Sequence, residues 1–569
     1  MAFSAGTIWE NWSTGSTANG GGFNPASANF ATDLTTDSNT GNTSSPVVSS
    51  GSYTFLPRDV GYHLFVQGGT NWIPAWYIIS AVSGGKATLT ASINTAVLYG
   101  TSITGLNYRR PNGLNTAAGC ATVGTPTGGV WSIDYSQNAT AGIAYTDLAN
   151  ASGFLVTSAA NPFGPHTTGN VINITSGNGF TAGRYEVVSV SGTTATFDRA
   201  PSNPGTAGVG NLGGAIGSSS ALTVFTISPV AGNKIFVRAT GTYTLTSTTT
   251  LTASVKGDIT NGRINVEGYT TYRGQQDGRP LITSATNSVA IFTLNDNDYW
   301  EWNHLRLTHT AATRGNGFAF VTSVSSPVWI KDCIIDGCLA AITGTSTTSG
   351  LYLENCKIMN CTSTTAAIIT TGGVYLAGCN IKNNAGDATR STNGNATTVT
   401  AYNCIFDANV HGIDSVTSST NCDIRCHNCT FVNNIGDGIK TVSTSGTTTY
   451  ELTNCLFWGN NYGIENLDNQ AETDALVRIF RNCAFGGNTS GDYSGIRGGR
   501  GEILLTDDPF TNLATGDFSL NNAAGGGALL QAAGFPTIFP DNTTVNSLDV
   551  GVPQSKSGKK LIGAGGLCG

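Results

Sequence analysis

In three successive repeats a Gly-Ile step is followed at once by an ionisable residue: Gly412-Ile413-Asp414, Gly438-Ile439-Lys440 and Gly463-Ile464-Glu465. Two residues before each isoleucine stand His411, Asp437 and Tyr462. Two carboxyl groups flanking a glycosidic bond can divide general acid and general base work, and inverting glycosidases hold such a pair roughly 6.5–9.5 Å apart. If the three segments are strands on adjacent rungs of a parallel stack, Asp414 and Glu465 lie two rungs apart at about 4.8 Å each, near the upper end of that range, with Lys440 between them. The competing reading is a charge ladder in which Lys440 offsets two acids across neighbouring strands. Replacing Asp414 by Asn and Glu465 by Gln separates the two readings, because only the first predicts loss of glycan cleavage.

Metal chemistry has weaker sequence support. Cys422, Cys426, Cys429 and His427 invite a zinc reading, but structural zinc needs four converging ligands, and the other cysteines follow a strand register. Asn295-Asp296-Asn297-Asp298 is acidic enough for Ca²⁺, yet it has the composition of a turn between Leu294 and Tyr299-Trp300. Asp507-Asp508 lies beyond the repeats. No metal ion and no cofactor is expected.

The elements that must position these residues come from the cysteines. Cys333, Cys356, Cys379, Cys404, Cys429, Cys455 and Cys483 are separated by 23, 23, 25, 25, 26 and 28 residues, a period that signals stacked repeats. The later copies share a phrase, as in Asn403-Cys404-Ile405-Phe406 to Asn409 and Asn428-Cys429-Thr430-Phe431 to Asn434. Cys, an outward residue, then Ile or Phe is the period-2 pattern of a strand with one buried face. About 25 residues rich in Thr, Ser, Asn and Gly suit one coil of three short strands and three turns. Stacking predicts an interior cysteine ladder of packing thiols. An apolar ladder of Ile335, Ile358, Ile381, Phe406, Phe431, Phe457 and Phe485 should run beside it. A turn ladder of Asn384, Asn409, Asn434, Asn460 and Asn488 follows, preceded in register by Cys338 and Cys361.

The amino-terminal part carries a different repeat: Gly61 to Gly84 matches Gly169 to Gly192 at a constant offset of 108. The organisation read from the sequence is all-β. Residues 1–100 form a first β module, 101–129 a Gly/Thr/Pro-rich connector with the unmatched Cys120, and 130–214 a second module. Residues 215–505 are the solenoid, and 506–569 a cap on its open end followed by a loose tail holding Cys568. Ten to twelve coils at about 4.8 Å would make a rod on the order of 50–60 Å.

Composition narrows the function classes. Charged residues make up 11 % of 569, against about 25 % in an ordinary soluble domain, while glycine supplies 74 residues and methionine 2. The net charge is −7, and no Lys/Arg cluster marks a nucleic-acid partner. No run approaches the roughly 20 apolar residues of a membrane span, and Met1 to Gly6 has no signal-peptide character. The expectation is synthesis in a host cytoplasm with no membrane partner.

The coils from about 230 to 505, with the Asn-Cys-x-Phe-x-x-Asn phrase and the Gly-Ile step after it, resemble the right-handed parallel β-helix, or pectate-lyase-like, superfamily. Ile264 to Tyr269 and the ending from Asp507-Asp508-Pro509-Phe510 to Asp549-Val550-Gly551 resemble β-helix proteins of phages and environmental bacteria. The superfamily's enzyme motifs do not carry over: there is no Gly-His-Gly, no Asp-Asp inside a coil, no Arg-Ile-Lys and no row of acidic residues on one strand. The resemblance therefore implies a structural component of a phage-like virion, a fibre, spike or capsid-decoration protein on the particle surface. It would bind capsid or tail proteins through its amino-terminal modules, assemble as a homo-oligomer with a trimer favoured, and touch a host surface glycan. The alternative is a tailspike-type polysaccharide depolymerase, hydrolase or lyase, and the second alternative a bacterial surface adhesin.

Overall fold

The computed structural model describes residues 3–37, 45–70, 72, 74–90, 126–251, 255–321, 327–344, 350–392, 397–417, 421–443, 448–467, 478–499, 501–531, 533–534 and 549–551. Cys120, Cys568, the tail from Ser555 and most of the expected connector lie outside these. The chain forms two compact units, residues 1–245 with 255–281, and residues 246–254 with 282–569.

The second unit is a three-sheet parallel solenoid. Its first sheet runs from Trp300–Asn303 through Val328–Lys331, Leu351–Glu354, Val374–Ala377, Thr397–Tyr402, Cys422–His427 and Thr448–Thr453 to Arg478–Arg481. The second sheet uses three-residue strands such as Ile405–Asp407 and Thr430–Val432, and the third includes Asp387–Thr392, Ile413–Thr417, Ile439–Ser443 and Tyr462–Asn466. The apolar ladder stands in continuous register from Leu307 through Ile335, Ile358, Ile381, Phe406, Phe431 and Phe457 to Phe485. Its phenylalanine rings stack at 4.7–4.8 Å within 7° of parallel. Each fully buried ring contributes roughly 1.5–3 kcal/mol.

Two left-handed corners bracket each second-sheet strand from Ile334–Asp336 to Ala484–Gly486, and they explain the recurring asparagines. The residue before the cysteine register, His304, Asp332, Asn355, Gly378, Asn403, Asn428, Asn454 or Asn482, has φ between 49° and 62°. The residue before the asparagine ladder is left-handed too: Gly337, Asn360, Asn383, Ala408, Asn433, Gly459 and Gly487 span 52–70°. Only glycine and, less readily, Asn or Asp visit this region at low cost.

The seven ladder cysteines are buried with free thiols. Cys356, Cys379, Cys429 and Cys455 each direct Sγ at a carbonyl of the preceding coil, 3.3–3.5 Å away. Cys426 and Cys429 lie inside the solenoid while His427 stacks outward on Tyr402, so these side chains do not converge on a zinc ion. The asparagine ladder is a continuous amide chain. Nδ2 of Asn384, Asn409, Asn434 and Asn460 donates to Oδ1 of the next member at 2.8, 3.3, 2.8 and 3.3 Å. That same oxygen accepts the preceding member's backbone N–H.

The described residues after 505 pack along the flank of the second sheet. Phe510, Phe518, Leu530 and Val550 form one buried cluster with Val432, Leu456 and Ala484, and Gly551 N–H donates to Asn454 O at 2.8 Å. A lateral cover thus stands where the sequence suggests only an end cap, because the outward residues at 432, 456 and 484 are apolar.

In the first unit the tandem repeat becomes two closed six-stranded barrels. Strands His63–Thr70, Ala75–Ser83 and Lys86–Leu89 of the first match Val171–Phe180, Gly183–Ser191 and Thr194–Phe197 of the second. Strand pairing departs from the sequence reading in two places. Thr127–Asp134, divided there between connector and second module, pairs with His63–Thr70 and closes the first barrel. Ile8–Trp12 joins neither barrel strand set but pairs in parallel with Lys234–Arg238, which pairs with Ile264–Tyr269. The first repeat has a long insertion before its closing strand that the second lacks, which hides the equivalence from a constant offset. Arg273, 1 % exposed, locks this unit by ion pairs to Glu10 at 2.7 Å and Asp134 at 2.8 Å.

Candidate functional site

The outer face of the third sheet gathers the ionisable residues. Ile413, Ile439 and Ile464 point inward and are sealed, so the residue after each points outward. The preceding glycines are required by the stack. A Cβ at Gly412, Gly438 or Gly463 would meet the ring of Phe431, Phe457 or Phe485 at 2.5–2.8 Å and a carbonyl of the next coil at 2.5–2.7 Å.

Two columns result. Arg390, Asp414, Lys440 and Glu465 occupy one register. Asp387, His411, Asp437 and Tyr462 stand beside them, with the rungs tied by Ala388 N–H to His411 O and Gly412 N–H to Asp437 O. In backbone register Lys440 does lie between Asp414 and Glu465, but its ammonium pairs with Glu465 at 3.4 Å and Asp414 is met by Arg390 at 3.4 Å. The acid pair suggested by spacing is therefore regrouped: Asp414 belongs with Asp387, and Glu465 with Asp437.

His411 is the centre of the arrangement. Its Nδ1 is 2.7 Å from Asp387 Oδ1, its backbone N–H donates to the same oxygen at 3.2 Å, and its Nε2 is 3.5 Å from Asp437 Oδ2. Asp437 Oδ1 accepts the Tyr462 backbone N–H at 3.0 Å and Asn461 Nδ2 at 3.2 Å. Arg390 also approaches Asp387 Oδ2 at 3.6 Å. Asp387, Asp414 and Asp437 are only 2 %, 4 % and 1 % exposed. Burial, with Asp387 close by, pushes the Asp414 carboxyl up to about 6 against the opposing pull of Arg390 and His411. Burial and Asp437 likewise raise Glu465, opposed by Lys440. Asp414 Oδ1 is sealed from solvent and receives no hydrogen bond from an N–H or hydroxyl group. Among the described residues, one ligand atom each from Asp387, His411 and Asp414 lies within 4.8 Å of the others.

Asp387 and Arg390 escaped the sequence reading because their coil has Ala388-Thr389 where the others have Gly-Ile. Their register with His411 and Asp414 was the available signal. A second feature it missed lies on the outer face of the first sheet, where half-buried rings form one column. Tyr299–Trp329, Trp329–Tyr352, Tyr352–Tyr375, Tyr375–Tyr402 and Tyr402–His427 centroids are 6.4, 5.6, 5.4, 5.6 and 5.0 Å apart. The alternation in Val328-Trp329-Ile330, Leu351-Tyr352-Leu353 and Val374-Tyr375-Leu376 marks those rings as outward. Beside them Lys331 sits between Glu301 at 3.8 Å and Glu354 at 3.5 Å. Asn295–Asp298 is a turn, with Asn295 N–H donating to Asn297 Oδ1 at 2.6 Å.

Residues 282–426 match the family described as "Right handed beta helix region". Among curated proteins no sequence matches. Solved structures similar to this chain include GH136 lacto-N-biosidase from Eubacterium ramulus, 7 % identical, TM-score 0.25, over 49 % of this chain and 65 % of that one. Others are the catalytic domain of GH87 alpha-1,3-glucanase in complex with nigerose (10 %, 0.26, 66 % and 91 %) and tailspike protein gp49 from Pseudomonas phage LKA1 (12 %, 0.14, 62 % and 67 %). The chain thus spans 65 % of the length of the lacto-N-biosidase. The parallel register, the inward ladders and the family match together make the second unit a right-handed parallel β-helix.

Proposed function

We propose that this chain is a rigid β-helix component of a phage-like virion appendage that engages a surface polysaccharide along the outer aromatic column of its first sheet. The column itself carries this reading. Where the outer face of the third sheet is charged, the first sheet carries a continuous row of half-buried Trp and Tyr rings, the kind of apolar stripe that marks a contact surface. Tyr and Trp combine an apolar body with a polar tip, and the Glu301–Lys331–Glu354 row supplies hydrogen-bonding groups alongside. Burial pushes the Tyr375 phenol up to about 12, so it stays a donor at neutral pH. The virion setting, capsid or tail partners for the amino-terminal barrels, and a trimeric state rest on the resemblance of the coil phrase and the carboxy-terminal ending.

The test is affinity electrophoresis of the purified chain in gels carrying bacterial capsular and O-antigen polysaccharides. A retarded wild type, with retardation lost in a Tyr352→Ala/Tyr375→Ala variant of unchanged circular dichroism, is expected. Equal mobility of the two overturns the reading. If light scattering instead shows the variant dissociating from an oligomer, the column is a subunit contact.

The four carboxyl groups on four successive rungs favour a second reading, cleavage of that glycan at the third sheet. It expects new reducing ends from a bound polysaccharide, abolished by Asp437→Asn; intact polysaccharide after prolonged incubation removes it.

A further inference from the structure

We propose that Asp387, His411 and Asp414 form a divalent-cation site, with His411 Nδ1 and the two Oδ1 atoms as ligands. Three observations converge on it. Asp387 comes from one rung and His411 and Asp414 from the next, the two coils being tied by Ala388 N–H to His411 O and by the strand pairing that follows, and their ligand atoms fall within 4.8 Å of one another. Asp414, 4 % exposed, has an Oδ1 that is fully sealed and receives no hydrogen bond from an N–H or hydroxyl group. A buried oxygen left without a partner is costly, and a cation beside Asp387 and His411 would satisfy it.

The outer surroundings match those of a metal centre. A histidine that ligates through one ring nitrogen commonly gives the other to a carboxylate, and His411 Nε2 faces Asp437 Oδ2 at 3.5 Å. Ligating carboxylates are themselves held from behind; Arg390 reaches Oδ2 of both Asp387 and Asp414, at 3.6 and 3.4 Å, while Asp387 Oδ1 faces His411 Nδ1 at 2.7 Å.

Charge gives an independent argument. Among the described residues, Asp387, Asp414, Asp437 and Glu465 face only Arg390 and Lys440 as fixed cations. Four carboxyl groups against two fixed cations leave an excess of two negative charges, which a divalent ion would offset. One imidazole and two carboxylates suit Mn²⁺ or Zn²⁺ better than Ca²⁺, which takes six to eight oxygens. Three protein donors leave positions for water, and the His411 side chain, 15 % exposed, is the edge from which an ion enters. The site stands whether or not the chain binds or cleaves a glycan.

The experiment uses the full-length, untagged chain, stripped with chelator and titrated calorimetrically with Mn²⁺, Zn²⁺ and Ca²⁺. Mn²⁺ is the leading probe because the chain's thiols hold it poorly. One Mn²⁺ per chain is expected, with Ca²⁺ at least about tenfold weaker. His411→Asn should lose affinity by about a hundredfold or more, and Asp437→Asn by about 10–100-fold. Should either variant fail to fold, the electron-paramagnetic resonance of bound Mn²⁺ in the wild type decides, since a histidine ligand adds nitrogen couplings to its echo-modulation spectrum. No stoichiometric binding of Mn²⁺ or Zn²⁺, binding unaltered in His411→Asn, a spectrum without nitrogen couplings, or a preference for Ca²⁺ each overturns the proposal.

Discussion

Ala408 holds a left-handed corner, φ 52°, where the equivalent residues of neighbouring coils are Asn383, Asn433, Gly459 and Gly487. An alanine there carries the steric cost of its Cβ against the following carbonyl, about 1–2 kcal/mol per residue. Ala408→Gly should therefore stabilise the protein by about 1 kcal/mol in urea unfolding, the gain being trimmed by the flexibility glycine adds to the unfolded chain. Destabilisation by Ala408→Gly would show that the Cβ makes contacts worth more than the corner costs. The same corners decide what was readable from sequence. The Asn-Cys phrase is visible because one residue must adopt φ near +50° and the next must fill a small interior space, and both demands recur in every coil. Asp387 was hidden because function-bearing positions lie on the outward register, where packing imposes no repeat.

At the scale of elements, the solenoid's three strands per coil followed from period-2 alternation and cysteine spacing, whereas the path of the carboxy-terminal segment did not. Its contacts are between an irregular chain and outward apolar residues, a pairing that leaves no periodic signal. Gly551 shows how closely the segment is held. At φ 84° it adopts a glycine conformation, and a Cβ there would come 2.9 Å from Thr430 Oγ1 and 3.0 Å from Leu456 Cβ. Val550, fully buried, completes the cluster with Leu456 and Leu530. Val550→Asp places a carboxylate in that cluster, and Gly551→Ala strains the chain beside it. Both variants should release the segment to limited proteolysis while the coil core stays resistant, with Val550→Asp the more sensitive. Digestion patterns identical to wild type would mean that the segment is held elsewhere.

At the scale of the whole molecule, two buried histidines make the stability of the first unit depend on mild acid. Its barrels share one apolar cluster that includes Leu64, Trp131, Tyr145 and Leu212. His166 lies buried, stacked on Tyr53 at 3.8 Å, with neither ring nitrogen hydrogen-bonded. Burial, helped by Arg58, holds His166 down to about 3. Burial outweighs the Asp134 carboxylate to hold His63 at about 4, with Arg273 and Arg238 adding to the depression. Both rings are thus neutral in the folded chain, while the unfolded chain protonates them near pH 6.5. As pH falls below 6.5 the unfolded state alone gains protons, so stability is full above that pH and drains away toward pH 4 for His63 and pH 3 for His166. Carboxylates elsewhere also titrate here, so the contribution is isolated by substitution. His166→Phe keeps a ring against Tyr53 and removes the titration. Its unfolding free energy should fall less steeply between pH 6.5 and 4 than that of the wild type, with the gap widening as pH drops. Parallel pH profiles for the two proteins would mean that His166 finds a proton partner in the folded state and that the barrels answer to acid through their carboxylates alone.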